Sequence, residues 1–240
     1  MEEMDLNKII TQLEELIAKT NFLVHQRIDI KNKDFDGINI LVVTQRIFNG
    51  YKATKLLKNN NFFLEASTIV RSVIEAVFIF NDIMDNPEET FRKMEQLSNY
   101  NKQKLCSTIL EYDELKPNAK EFDFSSLDKK LVRLDEFVNL SAKNKQLYEI
   151  AYRMLCNEVH LNQASLEKLL DVKDNVVKAI KPNHDAEDFN ITYITLFYCI
   201  HSVVFDLNQR YNLELDSQLT EIDDLIRMVQ LKFSRNQNHS

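Results

Sequence analysis

The chain has 240 residues, 44% of them hydrophobic, with two glycines, three prolines and a formal net charge of −7. So little glycine disfavours all-β folds, and with only Gly37 and Gly50 present no Gly-x-Gly or P-loop pattern exists, which sets aside Rossmann, kinase-like and P-loop chemistry. The acidic balance argues against coating by nucleic acid through bulk charge, while leaving room for a local basic site.

Apolar spacing predicts helices along the whole chain. The first covers about Asp5 to Ile28, with Ile9, Ile10, Leu13, Leu16, Ile17 and Leu23 in phase, and KNKDFDG breaks it off. A second runs from Ile38 to Lys58 and stops at Asn59–Asn60–Asn61. A third, Phe62 to Met84, is apolar on most faces and is expected to be the central buried helix. Pro87 followed by two glutamates starts a fourth, to about Tyr112. Residues 113–126 read as a connector, and Leu127 to Leu140 as a weaker amphipathic piece. The next helix starts near Ser141 and extends towards Leu170, anchored by Leu147, Ile150, Ala151, Met154, Leu155 and Val159. After the break KPNHDAED, Asn190 to Asn212 is again apolar enough to be buried. A final amphipathic helix spans Ser217 to about Ser234, where Leu219, Ile222, Leu225, Ile226 and Val229 either close the bundle or meet another chain. The tail RNQNHS is expected to fray. The sum is one all-α domain, 1–240, a bundle of about seven helices with a core at 60–170 and C-terminal helices at 190–234.

Cys106, Cys156 and Cys199 lie far apart in helical contexts and form no metal pattern, which points to a reducing cytoplasm. Five scattered histidines offer no zinc spacing, so no metal and no cofactor are expected. The start MEEMDLNK is acidic, unlike a signal sequence, and no apolar run reads as long enough to cross a bilayer, so no membrane partner is expected.

The chemistry concentrates in LYEIAYRMLCNEVHLN. Glu149, Arg153, Asn157 and His160 stand at i, i+4, i+8 and i+11, one face of a helix. Arg153 and His160 are two turns apart, about 10 Å along the axis. Arginine neutralises phosphate and histidine moves protons near neutral pH, a minimal kit for breaking a phosphodiester without a metal. Glu149 and Arg153 equally make an ordinary i,i+4 surface pair. Tyr152, beside Arg153, reads as a core residue with a hydroxyl partner. On the third helix Ser67, Thr68, Arg71, Glu75 and Asp82 form a polar row on an apolar cylinder. Such charges need partners. Arg71 and Glu75 either pair with each other or face the Arg153 helix, with Arg71 as a second phosphate ligand or Glu75 holding Arg153 or His160. His201, in FYCIHSVVF, reads as a hydrogen-bonded core histidine.

LEASTIVRSVIEA and the later LYEIAYRMLCNEVHLN together resemble a family of bacterial all-α proteins catalogued only as a domain of unknown function. The likeness covers about residues 60–170. Arg153, six residues, then His160 is similar to the motif of the HEPN superfamily (higher eukaryotes and prokaryotes nucleotide-binding). Many of its members are metal-independent endoribonucleases that act as toxins, antiphage effectors or RNA-processing domains, with the site built across a homodimer. The resemblance implies Arg153 and His160 as the catalytic pair, RNA as substrate, a homodimer, and a partner protein of a defence system. Many such nucleases carry a polar residue directly after the arginine; Met154 stands there, and Asn157 one turn later is the substitute. The other readings of the residues are a non-catalytic helical interaction or regulatory subunit, and a small-molecule or nucleotide-binding bundle with Arg71 and Arg153 as anion ligands.

Overall fold

Residues 3–28, 34–111, 141–159, 170–173, 176–180 and 186–237 are described by the computed structural model. Side chains are described for all of these except 3–7, 103, 106–111, 157–159, 180, 186–188 and 229–237. The predicted connector 113–126 and the weak helix Leu127–Leu140 lie outside the described residues.

The apolar stripes become helices α1 (Glu3–Arg27), α2 (Phe35–Asn59), α3 (Phe63–Asp85) and α4 (Pro87–Glu111). A broken helix follows, made of α5 (Ala142–Leu147), a π-helical turn (Tyr148–Tyr152) and α6 (Arg153–Val159). Strands β1 (Leu170–Lys173) and β2 (Val176–Ile180) precede α7 (Ala186–Tyr211) and α8 (Asp216–Gln237). The class is all-α, as expected. Helix α2 begins ahead of the predicted Ile38 because the Asp34 carboxylate accepts a hydrogen bond from the Gly37 backbone N–H at 2.8 Å and so caps the first turn. It ends where the asparagine run predicts, with Asn61 at a φ of 62°, the left-handed region that asparagine tolerates.

The two strands are elements that the apolar spacing did not predict. They form an antiparallel hairpin, with Leu170 opposite Ile180 and Lys173 opposite Val176. Its sequence is a short β-branched run whose period is too brief to tell strand from helix.

Helix α3 is central, packing on α2, α4, α5, α6 and α7. Val70, Ile74, Phe78 and Phe80 are completely buried. Helix α7 lies beside it with Tyr193, Phe197, Ile200 and Val204 inside. Phe189–Tyr211 is, by length and a mean hydropathy of 1.3, apolar enough to cross a membrane, contrary to the expectation of no such run. Here 61% of that window is buried inside the bundle, so its apolarity serves the core. Leu219, Ile222, Leu225 and Ile226 of α8 are buried, and the helix packs on α1 and α7, closing the bundle. His201 Nε2 lies 3.1 Å from the Leu219 carbonyl oxygen.

Helices α2 and α3 approach closely at Gly50. A Cβ there would lie 2.3 Å from Val73 Cγ2. Val73 is a β-branched side chain in the buried core and has little room to yield. Gly50→Ala should therefore lose about 1–2 kcal/mol, the overpacking cost exceeding the helix-propensity gain of about 1 kcal/mol. The expected readout is a lower urea midpoint at unchanged slope; a raised midpoint would show that the two helices have room to spare.

Candidate functional site

The site grows from the polar row on α3. Arg71, Glu75 and Asp82 stand at offsets of four and seven, so they share one face of a helix otherwise buried in apolar surroundings. The broken helix satisfies this row at two points. At the upper one the Tyr152 hydroxyl accepts from Arg71 Nε at 3.3 Å and Nη2 at 3.2 Å, and donates to Glu75 Oε1 at 2.7 Å. Arg71 Nε is also 3.5 Å from Glu75 Oε1, and its guanidinium lies 5.4 Å from the Tyr152 ring centre. Tyr152 is 5% exposed. Burial and the bond to Glu75 push its phenol well above the usual tyrosine range, so it remains protonated and able to donate.

At the lower point Asn144, completely buried, presents its whole carboxamide to α3. Its Nδ2 donates to the Phe78 carbonyl at 2.9 Å and to Asp82 Oδ1 at 2.7 Å. Its Oδ1 accepts from Asn81 Nδ2 at 2.8 Å. Sequence reasoning missed Asn144, which looks like a surface residue between Lys143 and Lys145. The available signal was Asn81–Asp82 inside the apolar run FIFNDIM, a pair that has to find a polar partner.

The π-helical turn explains how both points are reached at once. Eight residues separate Asn144 from Tyr152, and in an uninterrupted α-helix that offset turns them about 80° apart. A π turn acts as a one-residue insertion and reduces the angle to about 20°. The Tyr148 and Tyr152 rings stack at 5.4 Å, and Phe78 packs against Tyr152 at 5.6 Å. The expectation of a straight helix from Ser141 is corrected accordingly. Ile150, expected to anchor the helix, is 67% exposed; Ala151, Tyr152 and Leu155 are the buried anchors.

Arg153 points away from this cluster. Its Nη1 donates to Glu149 Oε2 at 2.8 Å, with the two side chains 64% and 52% exposed. The structure thus brings Arg71, Glu75 and Tyr152 together and leaves Glu149 and Arg153 as a separate outward pair. Glu75 holds Tyr152, not Arg153. Asn157 belongs to the backbone of α6, its side chain outside the description, and His160 lies outside the described residues. Among the described residues no group of His, Cys, Asp and Glu could hold a metal ion. A groove of about 900 Å³ runs between α3, the π turn and α7, walled by Leu147, Ile150, Ala151, Ile191, Ile194 and Tyr198. Neither Arg71 nor Arg153 lines it.

Residues 38–177 match a family described as a family of unknown function (DUF5677). The match spans more than half of the chain and includes both α3 and the broken helix, and the chain belongs to that family. No curated protein and no solved structure matches it.

The two layers of the site differ in what they hold up. Tyr152→Phe keeps the ring packing and removes the hydroxyl between Arg71 and Glu75, with an expected loss of about 1–2 kcal/mol. Arg153→Ala removes an exposed pair and should leave the urea midpoint unchanged. Equal destabilisation by both substitutions would assign Arg153 to the scaffold instead of the surface chemistry.

Proposed function

We propose that this family member is a HEPN-like, metal-independent endoribonuclease, a toxin or antiphage effector that works as a homodimer in a reducing cytoplasm. The observation that carries the reading is the setting of Arg153. Its guanidinium is 64% exposed on a helix that the neighbouring Tyr152 fixes to the core. Its partner Glu149 is itself half exposed, so an RNA phosphate exchanges with that carboxylate at little cost.

In this mechanism His160 takes the proton from a ribose 2′-hydroxyl. The freed oxygen attacks phosphorus and the bond to the 5′-oxygen breaks, with a proton returned to the leaving oxygen. Arg153 stabilises the charge on the pentacoordinate phosphate. Asn157 orients the phosphate or the imidazole, and Arg71, Glu75 and Tyr152 keep the helix in place. The products carry 2′,3′-cyclic phosphate and 5′-hydroxyl ends. The net charge of −7 fits RNA gripped locally or delivered by a partner protein of a defence system.

A second reading, a non-catalytic helical module in a defence or toxin–antitoxin complex, draws on the groove beside the π turn, where Ile150 and Ile191 are exposed. Incubation with total RNA and with tRNA in EDTA separates the two. The nuclease reading expects cleavage that survives chelation, leaves cyclic phosphate ends, and falls at least about a hundredfold in His160→Ala and Arg153→Ala. Cleavage that persists undiminished in His160→Ala, or intact RNA with the wild-type protein, moves the assignment to the interaction module.

A further inference from the structure

The lower contact of the broken helix contains an unresolved polar account. Asp82 is 0% exposed, yet among the described residues its Oδ2 has no hydrogen-bond partner. The same holds for the buried Oδ1 of Asn81, whose amide nitrogen is bonded to Asn144, and for the buried Oγ of Ser141, three residues before Asn144 in the chain. Ser141 occupies the N-cap position of α5 without its side chain capping the helix. A buried carboxylate with a bare oxygen is costly, and a proton on that oxygen removes the charge and turns an acceptor into a donor.

We propose that a proton on Asp82 latches the broken helix onto α3. With the carboxyl neutral no charge is buried at the contact, and α5 and the π turn stay docked; the bond from Asn144 by itself favours the ionised form, and burial outweighs it. With the carboxyl ionised, this end of the broken helix opens more readily, and the helix that carries Arg153 loosens with it.

The surroundings support a group that titrates in reach of neutral pH. Burial pushes the Asp82 carboxyl up, Lys93 on α4 draws it down, Asp85 on the same helix raises it and the Asn144 hydrogen bond lowers it, leaving it at about 7. From the broken helix the facing group is the neutral Asn144 amide, and its neighbour Lys143 is engaged with Asp206 of α7 at 2.8 Å. When α5 lifts away, Asp82 is hydrated and returns towards about 4, the ordinary carboxyl value. The docked form therefore binds the proton more tightly than the open form. Docking is firmest below about pH 4, weakens as the pH rises towards about 7, and levels off above that.

The test uses the full chain and reads structure, so it stands whether or not the protein cleaves RNA. Carboxyl-carbon NMR should find Asp82 titrating near pH 7. Amide-exchange protection of residues 142–156, taken relative to buried amides of α7 and corrected for intrinsic exchange, should fall by up to about tenfold per pH unit between pH 5 and 7. Asp82→Asn, the shape of the neutral acid without its proton, should remove that fall. An Asp82 midpoint near the ordinary carboxyl value, protection flat with pH in the wild-type chain, or a fall that persists in Asp82→Asn would each overturn the latch.

Discussion

A buried helix that carries ionisable groups must be completed by another element, and in this protein that requirement organises the site. Helix α3 lies at the centre of the bundle and carries Arg71, Glu75, Asn81 and Asp82 on or beside one row. Left uncovered in an apolar interior, each would cost more than an average side chain contributes to stability. The broken helix covers them with two side chains, Tyr152 above and Asn144 below. Apolar packing alone tolerates rotation of a helix by a fraction of a turn, whereas these hydrogen bonds accept one register.

The register decides what faces outward. With Tyr152 turned in, its neighbour Arg153 is turned out, and the π turn is the backbone adjustment that lets Asn144 and Tyr152 face α3 together. Ile150, in the same turn, is exposed beside the groove. Buried anchor and exposed cation are thus consecutive residues. The outward arginine takes its direction from its neighbour's buried bonds, while its own side chain pairs with Glu149 at the surface.

Most helices were legible because their apolar residues repeat in phase: Ile9, Leu13, Leu16 and Ile17 in α1 and Leu219, Ile222 and Leu225 in α8 are all buried as the spacing requires. The polar row on α3 was legible for the complementary reason, since charge on an apolar cylinder stands out. The π turn was not, because Tyr-Glu-Ile-Ala-Tyr carries the same pattern whether four or five residues complete the turn. Its cause is tertiary: the distance along α3 between Phe78–Asp82 and Arg71–Glu75. Asn144 was hidden by its lysine neighbours, whose charges say surface while the amide between them goes to the core. The strand pair Leu170–Lys173 and Val176–Ile180 was missed because five residues of Val-Val-Lys-Ala-Ile are too few for any period to declare itself.

The apolarity of α7 has a further consequence during synthesis. As the chain leaves the ribosome this segment has the length and hydropathy of a membrane span, and an insertion machine samples such segments as they emerge. Three of the helices against which it packs, α1, α2 and α3, precede it in the chain, and α8 follows. The helix that most resembles lipid-facing sequence is thus made after three of the helices that cover it.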